Sequence, residues 1–478
     1  MQKGLVTKVK DNWISIFLFI IVSVIVFVNI NNPFFWDKDI LDSKQAHFFL
    51  QNHFKFILSD QLDNGHFPFM GFLLAVLWSI FGKSLIVGHV LMYFIFIILF
   101  YQLRLLIKIL FPHFKWQGLI LAVVLAETSL LTQVVVVSSD LVLSLFFVIS
   151  LNGIFKNKQW LLLLGVIGLS ILSIRSQLTL IAIFIFLFYY KFSELKRNSF
   201  SFESIVIIFW PFVIAFIFPA IYYVFHYHIK GWIMLNEKGN WGSLYELVNV
   251  KGVLRNLVIF SWRMVDDGRI FVWLLLLFVI FYYRIQRLDK TIRNILAIFI
   301  SLLIVYLPFS LFANSLIDNR YYIPLFITFY IGVVSVIIQY VNPDRIKIIL
   351  LLIVLVSIIS GNFWVYPRHL STCWSASMAH LPYFKLKDEM NNYIEAERIS
   401  KNKIKSFVPN VSENKFVYLN DDNFKYGLAD VKKDDYIFFS NVFNCTDDIL
   451  QGLQENYTVI KRFKKYNVEV VLYERKYY

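Results

Sequence analysis

Long apolar runs divided by short polar stretches recur along roughly three quarters of the chain. They are too long and too frequent for a water-soluble core. The first covers Trp13 to Val28, and later ones fall near 84–107, 117–136, 140–155, 159–174, 177–190, 203–225, 270–284, 294–312, 321–340 and 346–364. The pattern predicts a polytopic α-helical membrane protein with about eleven spans. Several runs are shorter than the roughly 20 residues of a straight span, so their borders are set only to within a few residues. Pro68 to Phe81 is apolar but shorter still, and reads as an interfacial or re-entrant helix. From Pro367 the pattern changes to short β-like runs mixed with polar and helical stretches. Lys415–Leu419, Asp435–Phe439, Tyr457–Ile460 and Val468–Tyr473 read as strands, and Asp447–Asn456 as a helix. The expected organisation is a membrane domain over 1–366, with polar loops 31–83 and 226–269, followed by a small α/β domain over 367–478.

Charge gives the topology. Lys3, Lys8 and Lys10 precede the first run and no small-x-small cleavage site follows it, so it reads as an uncleaved span. Arg104/Lys108/Lys115, Lys156/Lys158, Lys191/Lys196/Arg197, Arg284/Arg287/Lys290/Arg293 and Arg345/Lys347 mark every second loop. The rule that basic loops stay inside then puts the N-terminus in the cytoplasm and the α/β domain outside. Pro68–Phe81 counted as a span would break this alternation, so it is assigned to the outer surface.

Hydrophobic residues make up 58% of the 478 positions, charged ones 16%, and the formal charge is +14. Much of that charge sits on the cytoplasmic loop ends, where it meets anionic headgroups. No zinc-ligand spacing or RNA-binding aromatic motif accompanies it, and nucleic acid is excluded as a partner. The only two cysteines, Cys373 and Cys445, lie in the exported part, where a disulfide and two free thiols are equally allowed. The Lys/Asn/Ile/Phe-heavy composition fits a low-GC bacterial gene, and hence a bacterial plasma membrane. The sequons at Asn410, Asn444 and Asn456 then read as chance.

Candidate chemistry concentrates in the outer loops. Trp36-Asp37-Lys38-Asp39 and Asp42 follow the first span, and the same loop closes on Gly65-His66-Phe67-Pro68. A carboxylate partly desolvated by Phe34, Phe35 and Trp36 gains proton affinity, which suits a general base. A solvated loop with alternating charge is the competing reading. Asp140 opens an apolar run after Ser138-Ser139, and either faces a polar cavity or caps a helix. Arg175 lies between two apolar runs, placed to meet a phosphate bidentately or to snorkel to the surface. The loop 226–269 carries Arg263 among aromatics and charges of both signs, and Asp318-Asn319-Arg320-Tyr321-Tyr322 lies at the mouth of a later span. There is no Walker A, GxGxxG, HExxH or GxSxG motif. With no cytoplasmic domain for a nucleotide sugar, an activated donor would have to be lipid-linked.

These motifs resemble, in order and spacing, the polytopic GT-C glycosyltransferases of the protein O-mannosyltransferase and aminoarabinose-transferase type, grouped as glycosyltransferase family 39. The resemblance rests on Asp37 in the first outer loop, then Gly65-His66-Phe67-Pro68-Phe69, then a helix ending Trp78-Ser79-Ile80-Phe81-Gly82. It continues with Asp140 before a span and Arg320-Tyr321-Tyr322-Ile323-Pro324-Leu325. Asp37-Lys38-Asp39 departs from the family's Asp-Glu pair, and Phe67 stands for the first proline of its His-Pro-Pro segment. The resemblance implies inverting transfer of a sugar from a polyprenyl-phosphate donor to a lipid, glycan or protein acceptor at the outer face. In it Asp37 is the base and Asp39 the substitute candidate, and Asp140 orients the acceptor or a cation. Arg175, Arg263 and Arg320 are candidates for the lipid phosphate, with His66 and Tyr321 beside the substrate. Some relatives use a divalent metal; no ligand cluster in the sequence decides for one. The rival classes are a transporter or flippase of lipid-linked sugars and a polysaccharide polymerase or ligase.

Overall fold

The computed structural model describes residues 2–194, 202–234, 246–314 and 317–476, leaving out the side chains of 2–12, 37–38, 194, 202–205 and 207. The first half contains α1 (Gln2–Val28), α2 (Asp37–Gln51), α3 (Phe69–Phe81), α4 (Leu85–Leu110), α5 (Gln117–Leu125), α6 (Thr128–Val135), α7 (Ser139–Phe155), α8 (Gln159–Leu172) and α9 (Ile174–Glu194). Then follow α10 (Phe202–Lys230), α11 (Val250–Val265), α12 (Arg269–Tyr282), α13 (Lys290–Phe312), α14 (Ile323–Tyr340) and α15 (Asp344–Ser360).

Each of the eleven apolar runs is helical. Among the described residues six helices are long and apolar enough to cross a membrane, or seven if one bent pair counts as a span. The remaining runs form apolar helices of 10–17 residues, so the count of eleven is not established by length. Rows of exposed Phe, Ile, Leu and Val on α1, α10, α12 and α15 face outward, as helices require where the solvent is lipid. The protein is an integral membrane protein. Its most buried long helix is the segment Asn319–Tyr340, 83% buried against 33–44% for the other five long spans, and it packs against α5, α7, α12, α13 and α15.

The run 117–136 is not one straight span, as its hydrophobicity suggested. α5 and α6 meet at 73°. The cause is Glu127, whose Oε2 accepts the Leu130 N–H at 2.6 Å and so caps a new helix where the old ladder stops. Its other oxygen takes Arg269 Nη2 at 2.5 Å, which makes the buried charge tolerable. The segment Phe69–Phe81, read as an interfacial helix, is a separate short helix lying on α2. Gly71 permits that approach, because a Cβ there would sit 2.5 Å from Gln45 Cβ.

The C-terminal part comprises α16 (Pro382–Ala396), β1 (Ile404–Ser406), α17 (Asn414–Val417), β2 (Gly427–Leu428), β3 (Tyr436–Ser440), α18 (Asp447–Asn456), β4 (Tyr457–Lys465) and β5 (Val468–Arg475). The sheet order is β2-β1-β3-β5-β4; β1 runs parallel to both its neighbours, while β5 is antiparallel to β3 and β4. Its core, with Tyr383, Met390, Phe438, Phe439 and Val471, is separate from that of the helices. Lys415–Leu419 corrects its strand reading: Asn414–Val417 is a helical turn bonded to the membrane part. Phe34 N donates to Val417 O at 2.9 Å and Ser43 Oγ to Phe416 O at 2.8 Å. Those partners, absent from any sheet edge, override the β propensity of Phe-Val-Tyr. Cys373 and Cys445 are both free. Burial, and then the charge of Asp318, push the Cys373 thiol well up, which keeps it protonated and inert.

Candidate functional site

The acidic loop folds as α2, whose inner face carries Asp39, Asp42, Ser43 and Ala46, all buried. Spacings of three and four residues place them on one face. Asp37 opens the helix, but its side chain lies outside the described residues. Asp39 lines a small cavity with His89, Val136, Val137 and Phe384, where the broken helix pair meets the C-terminal part. The loop is held over this cavity by His89, whose Nε2 donates to Asn32 O at 2.9 Å.

The sequence candidates from the later helices converge at the same end of the bundle. Ser138 caps α7, and Asp140 occupies its first turn rather than the cap. Asp140 Oδ1 takes Arg175 Nη1 at 2.8 Å, while Oδ2 faces Arg320 Nε at 3.9 Å. Arg175 stacks on Tyr321 with its guanidinium carbon 4.1 Å from the ring centre, and Arg320 lies 5.5 Å from the same ring. Asp318 braces Arg320 at 3.4 Å and accepts the Ser375 hydroxyl from the C-terminal part. Asp140, Arg175, Arg320 and Tyr321 therefore form one constellation, while Asp39 lines a separate small cavity. Among the described residues, Arg175 spends only Nη1 on a carboxylate. Its other nitrogens have no hydrogen-bond partner among the described residues, and the side chain lines a narrow cleft with Tyr306, Ser310 and Tyr322.

Arg263 stands apart, with its donors committed to Asp266 at 3.1 Å, Ile317 O at 3.2 Å and Ser371 O at 3.5 Å. It belongs to a buried network in which Arg269 meets Glu127 and Asp267, and Asn319 Nδ2 donates to Asp267 at 2.6 Å. Burial, then the neighbouring Asp266 charge, hold the Asp267 carboxyl well above the usual carboxylate range. This network lies directly behind Arg320 and fixes the turn that carries it. The sequence marks Glu127 as a structural partner and sets Arg263, Asp266, Asp267 and Arg269 among the charges of the 226–269 loop, but it gives no sign that they pair.

His66 is 8% exposed, and its Nδ1 lies 3.0 Å from the next residue's carbonyl oxygen. The anchor of its loop is the unassigned Asp63, which takes His226 Nε2 at 2.9 Å and the Gly65 N–H at 2.9 Å. Gly65 has φ +78°, and a Cβ there would meet Met234 O at 2.4 Å. His66 thus sits on a rigid turn tied to the end of α10.

Outside the cavity, a groove of about 530 Å³ runs between α2 and residues 408–416, with Lys44, His47 and Lys415 on its walls. His47 donates Nδ1 to Ser43 O at 2.8 Å, and burial lowers its proton affinity, aided by Lys83 and Lys415. Among the described residues no group of three His, Cys, Asp or Glu side chains is placed to hold a metal ion. The oxygens of Asp140 face guanidinium groups instead.

No family model and no curated protein matches the chain. Among solved structures it is similar to the crystal structure of ArnT from Cupriavidus metallidurans bound to undecaprenyl phosphate, at 10% identity and a TM-score of 0.49, over 96% of this chain and 97% of that one. At that distance the likeness assigns neither fold nor activity, and the reading below stands on the residues of this chain.

Proposed function

We propose that the protein is a membrane glycosyltransferase that moves a sugar from a polyprenyl-phosphate donor to an acceptor hydroxyl at the outer face, with inversion. The observation that carries this reading is Arg175. It is anchored by buried Asp140, stacked on Tyr321 beside Arg320, and still has donors to give. A preorganised guanidinium pair at a helix end suits a phosphate that gains charge as it leaves. The sequence resemblance points the same way, with Asp140, Arg320 and Tyr321 in its motifs.

Asp39 is the base in this proposal, because it is buried and lines the cavity while the Asp37 side chain is undescribed; Asp37, two positions earlier, is the alternative. The acceptor O–H gives its proton to the carboxylate as its oxygen attacks the anomeric carbon. The anomeric C–O bond breaks on the opposite side, and its electron pair leaves with the lipid phosphate, held by Arg175 and Arg320. Asp140 and Tyr321 position those arginines. Arg263 acts indirectly, through the turn behind Arg320, and His66 through the rigid turn that Asp63 ties to the end of α10. The groove beside α2 admits the acceptor.

The test is transfer of radiolabelled sugar from a panel of polyprenyl-phosphate sugars by protein in lipid nanodiscs. Asp39→Asn, Asp37→Asn and Arg175→Met are compared with wild type. Loss of transfer in Asp39→Asn with donor binding retained is expected, since general-base removal costs on the order of 10²–10⁴-fold. Full turnover in Asp39→Asn with none in Asp37→Asn would move the base to Asp37. Donor binding without turnover in wild type, indifferent to all three changes, would point to a transporter.

A further inference from the structure

A second cavity, of about 410 Å³, lies wholly within the C-terminal part and on the far side of α17 from the groove. Its wall carries the charged groups of Lys387, Asp388, Lys401 and Asp422, together with Asn391 and Tyr418. Lys387 is the unusual member. It is 6% exposed, and among the described residues its ammonium has neither a hydrogen bond nor an ion pair. It lies over the face of Tyr418, 5.1 Å from the ring centre. The other lysines near this part of the fold are paired on the surface, Lys401 with Glu395, Lys415 and Lys425 with Glu413, and Lys433 with Asp430. The adjacent Asp388 carboxylate, in the same wall, bears on this ammonium without forming an ion pair with it, and a buried cation so weakly compensated is relieved by a bound anion. Burial alone lowers Lys387 to about 8, against the opposing charge of the neighbouring Asp388.

The rest of the wall is preorganised and polyhydroxyl-matching. Tyr426 donates its hydroxyl to Asn391 Oδ1 at 2.9 Å, leaving the amide N–H groups of Asn391 for a ligand. Asn414 donates to Asp422 Oδ2 at 2.7 Å, and Phe424 N to Asp422 Oδ1 at 2.8 Å, which fixes the loop and satisfies that carboxylate locally. Half-exposed Tyr418 and Phe424 offer flat apolar faces beside these groups. Aromatic faces beside fixed amides and the buried Lys387, with Lys401 in the same wall, suit a ring that carries an anion.

We propose that this cavity binds an anionic saccharide, with its carboxylate or phosphate against Lys387 and its ring on the faces of Tyr418 and Phe424. The site is independent of the transferase reading, because binding here is measured without turnover and with the catalytic residues intact. The occupant is a uronic acid or a sugar phosphate, which share the anion and the ring and which the experiment separates.

The experiment measures binding of glucuronate, glucose 1-phosphate, glucose and inorganic phosphate to the full chain in nanodiscs, by calorimetry and ligand-observed NMR. At least one anionic sugar binds saturably, with glucose and inorganic phosphate each about tenfold weaker or more. Lys387→Met weakens the anionic sugar about tenfold and leaves glucose unchanged, whereas Lys433→Met, a surface change outside the cavity wall, alters neither. Lys387→Met removes a buried unpaired charge, so it melts no lower than wild type, and Asn414→Ala gives a second reading of the same wall. Absence of saturable binding by both anionic sugars, or equal binding in Lys387→Met, overturns the proposal. Inorganic phosphate binding as tightly as glucose 1-phosphate also overturns it, leaving a bare anion site.

Discussion

Replacing Asp140 tests the constellation most directly, because that carboxylate faces both arginines. Its Oδ1 lies 2.8 Å from Arg175 Nη1, with side-chain exposures of 4% and 18%. At an effective dielectric constant of 20 the gross attraction at that distance is about 6 kcal/mol. Desolvation of the two ions and the partial exposure of Arg175 offset much of it. A net coupling of about 2–3 kcal/mol remains, the upper part of the range for residues sharing one network. Arg320 is less affected, since Asp318 still holds it at 3.4 Å. Asp140→Asn preserves shape and removes the charge, so Arg175 loses its anchor but keeps the Tyr321 stack. A loss of about 2.7 kcal/mol is 100-fold in kcat/KM. The assay is a double-mutant cycle of Asp140→Asn and Arg175→Met on sugar transfer, with donor binding measured in parallel. If the two act as a unit, the double variant is hardly worse than either single one. Additive losses, or an Asp140→Asn enzyme within about threefold of wild type, would refute the coupling.

Three further outcomes follow from the supporting structure. Arg269→Met strands Glu127 and Asp267 in the interior, so the protein should lose about 3–5 kcal/mol in reversible unfolding from mixed micelles; the double change with Glu127→Gln should recover part of it. His380 is buried with Nδ1 on Ser377 O and its ring against Trp36 and Phe384, and burial lowers it from 6.5 to about 4. Its contribution is therefore fully present above pH 6.5 and is lost as pH falls towards 4. That contribution is about 3 kcal/mol, seen as the difference between wild type and His380→Leu in unfolding free energy against pH. Gly65→Ala forces a left-handed alanine against Met234 O at 2.4 Å, costing about 2 kcal/mol or more; an unchanged melting temperature would remove Gly65 and Asp63 from the account of the His66 loop.

Helices were legible wherever burial of the backbone in lipid left one solution. Every long apolar run became helical, because an unpaired peptide group in hydrocarbon costs several kcal/mol whatever its neighbours are. The helix Asp447–Asn456 and the strands Tyr436–Ser440 and Val468–Arg475 followed from local periodicity. The bend within 117–136 and the lost strand at 415–419 share one cause. Glu127 broke its span because Arg269, 142 positions away, makes a buried carboxylate affordable there. Phe416 and Val417 left the sheet because Ser43 and the backbone of Phe34 take their carbonyls.

The site divides in the same way. Asp140, Arg175 and Arg320 each stood out alone, because a charge at the end of an apolar run is expensive and implies a use, whereas Asp39 came from the acidic loop and Tyr321 from the motif around Arg320. The sequence by itself thus determined a helical membrane protein with its chemistry at the loop ends. Only the tertiary structure decided that Asp140, Arg175, Arg320 and Tyr321 meet, that Arg263 serves Asp266 instead, and that Lys387 is a buried cation beside a cavity. Hydrophobicity and periodicity act over neighbouring residues, whereas the pairing of charges depends on which helix ends packing brings within a few ångströms.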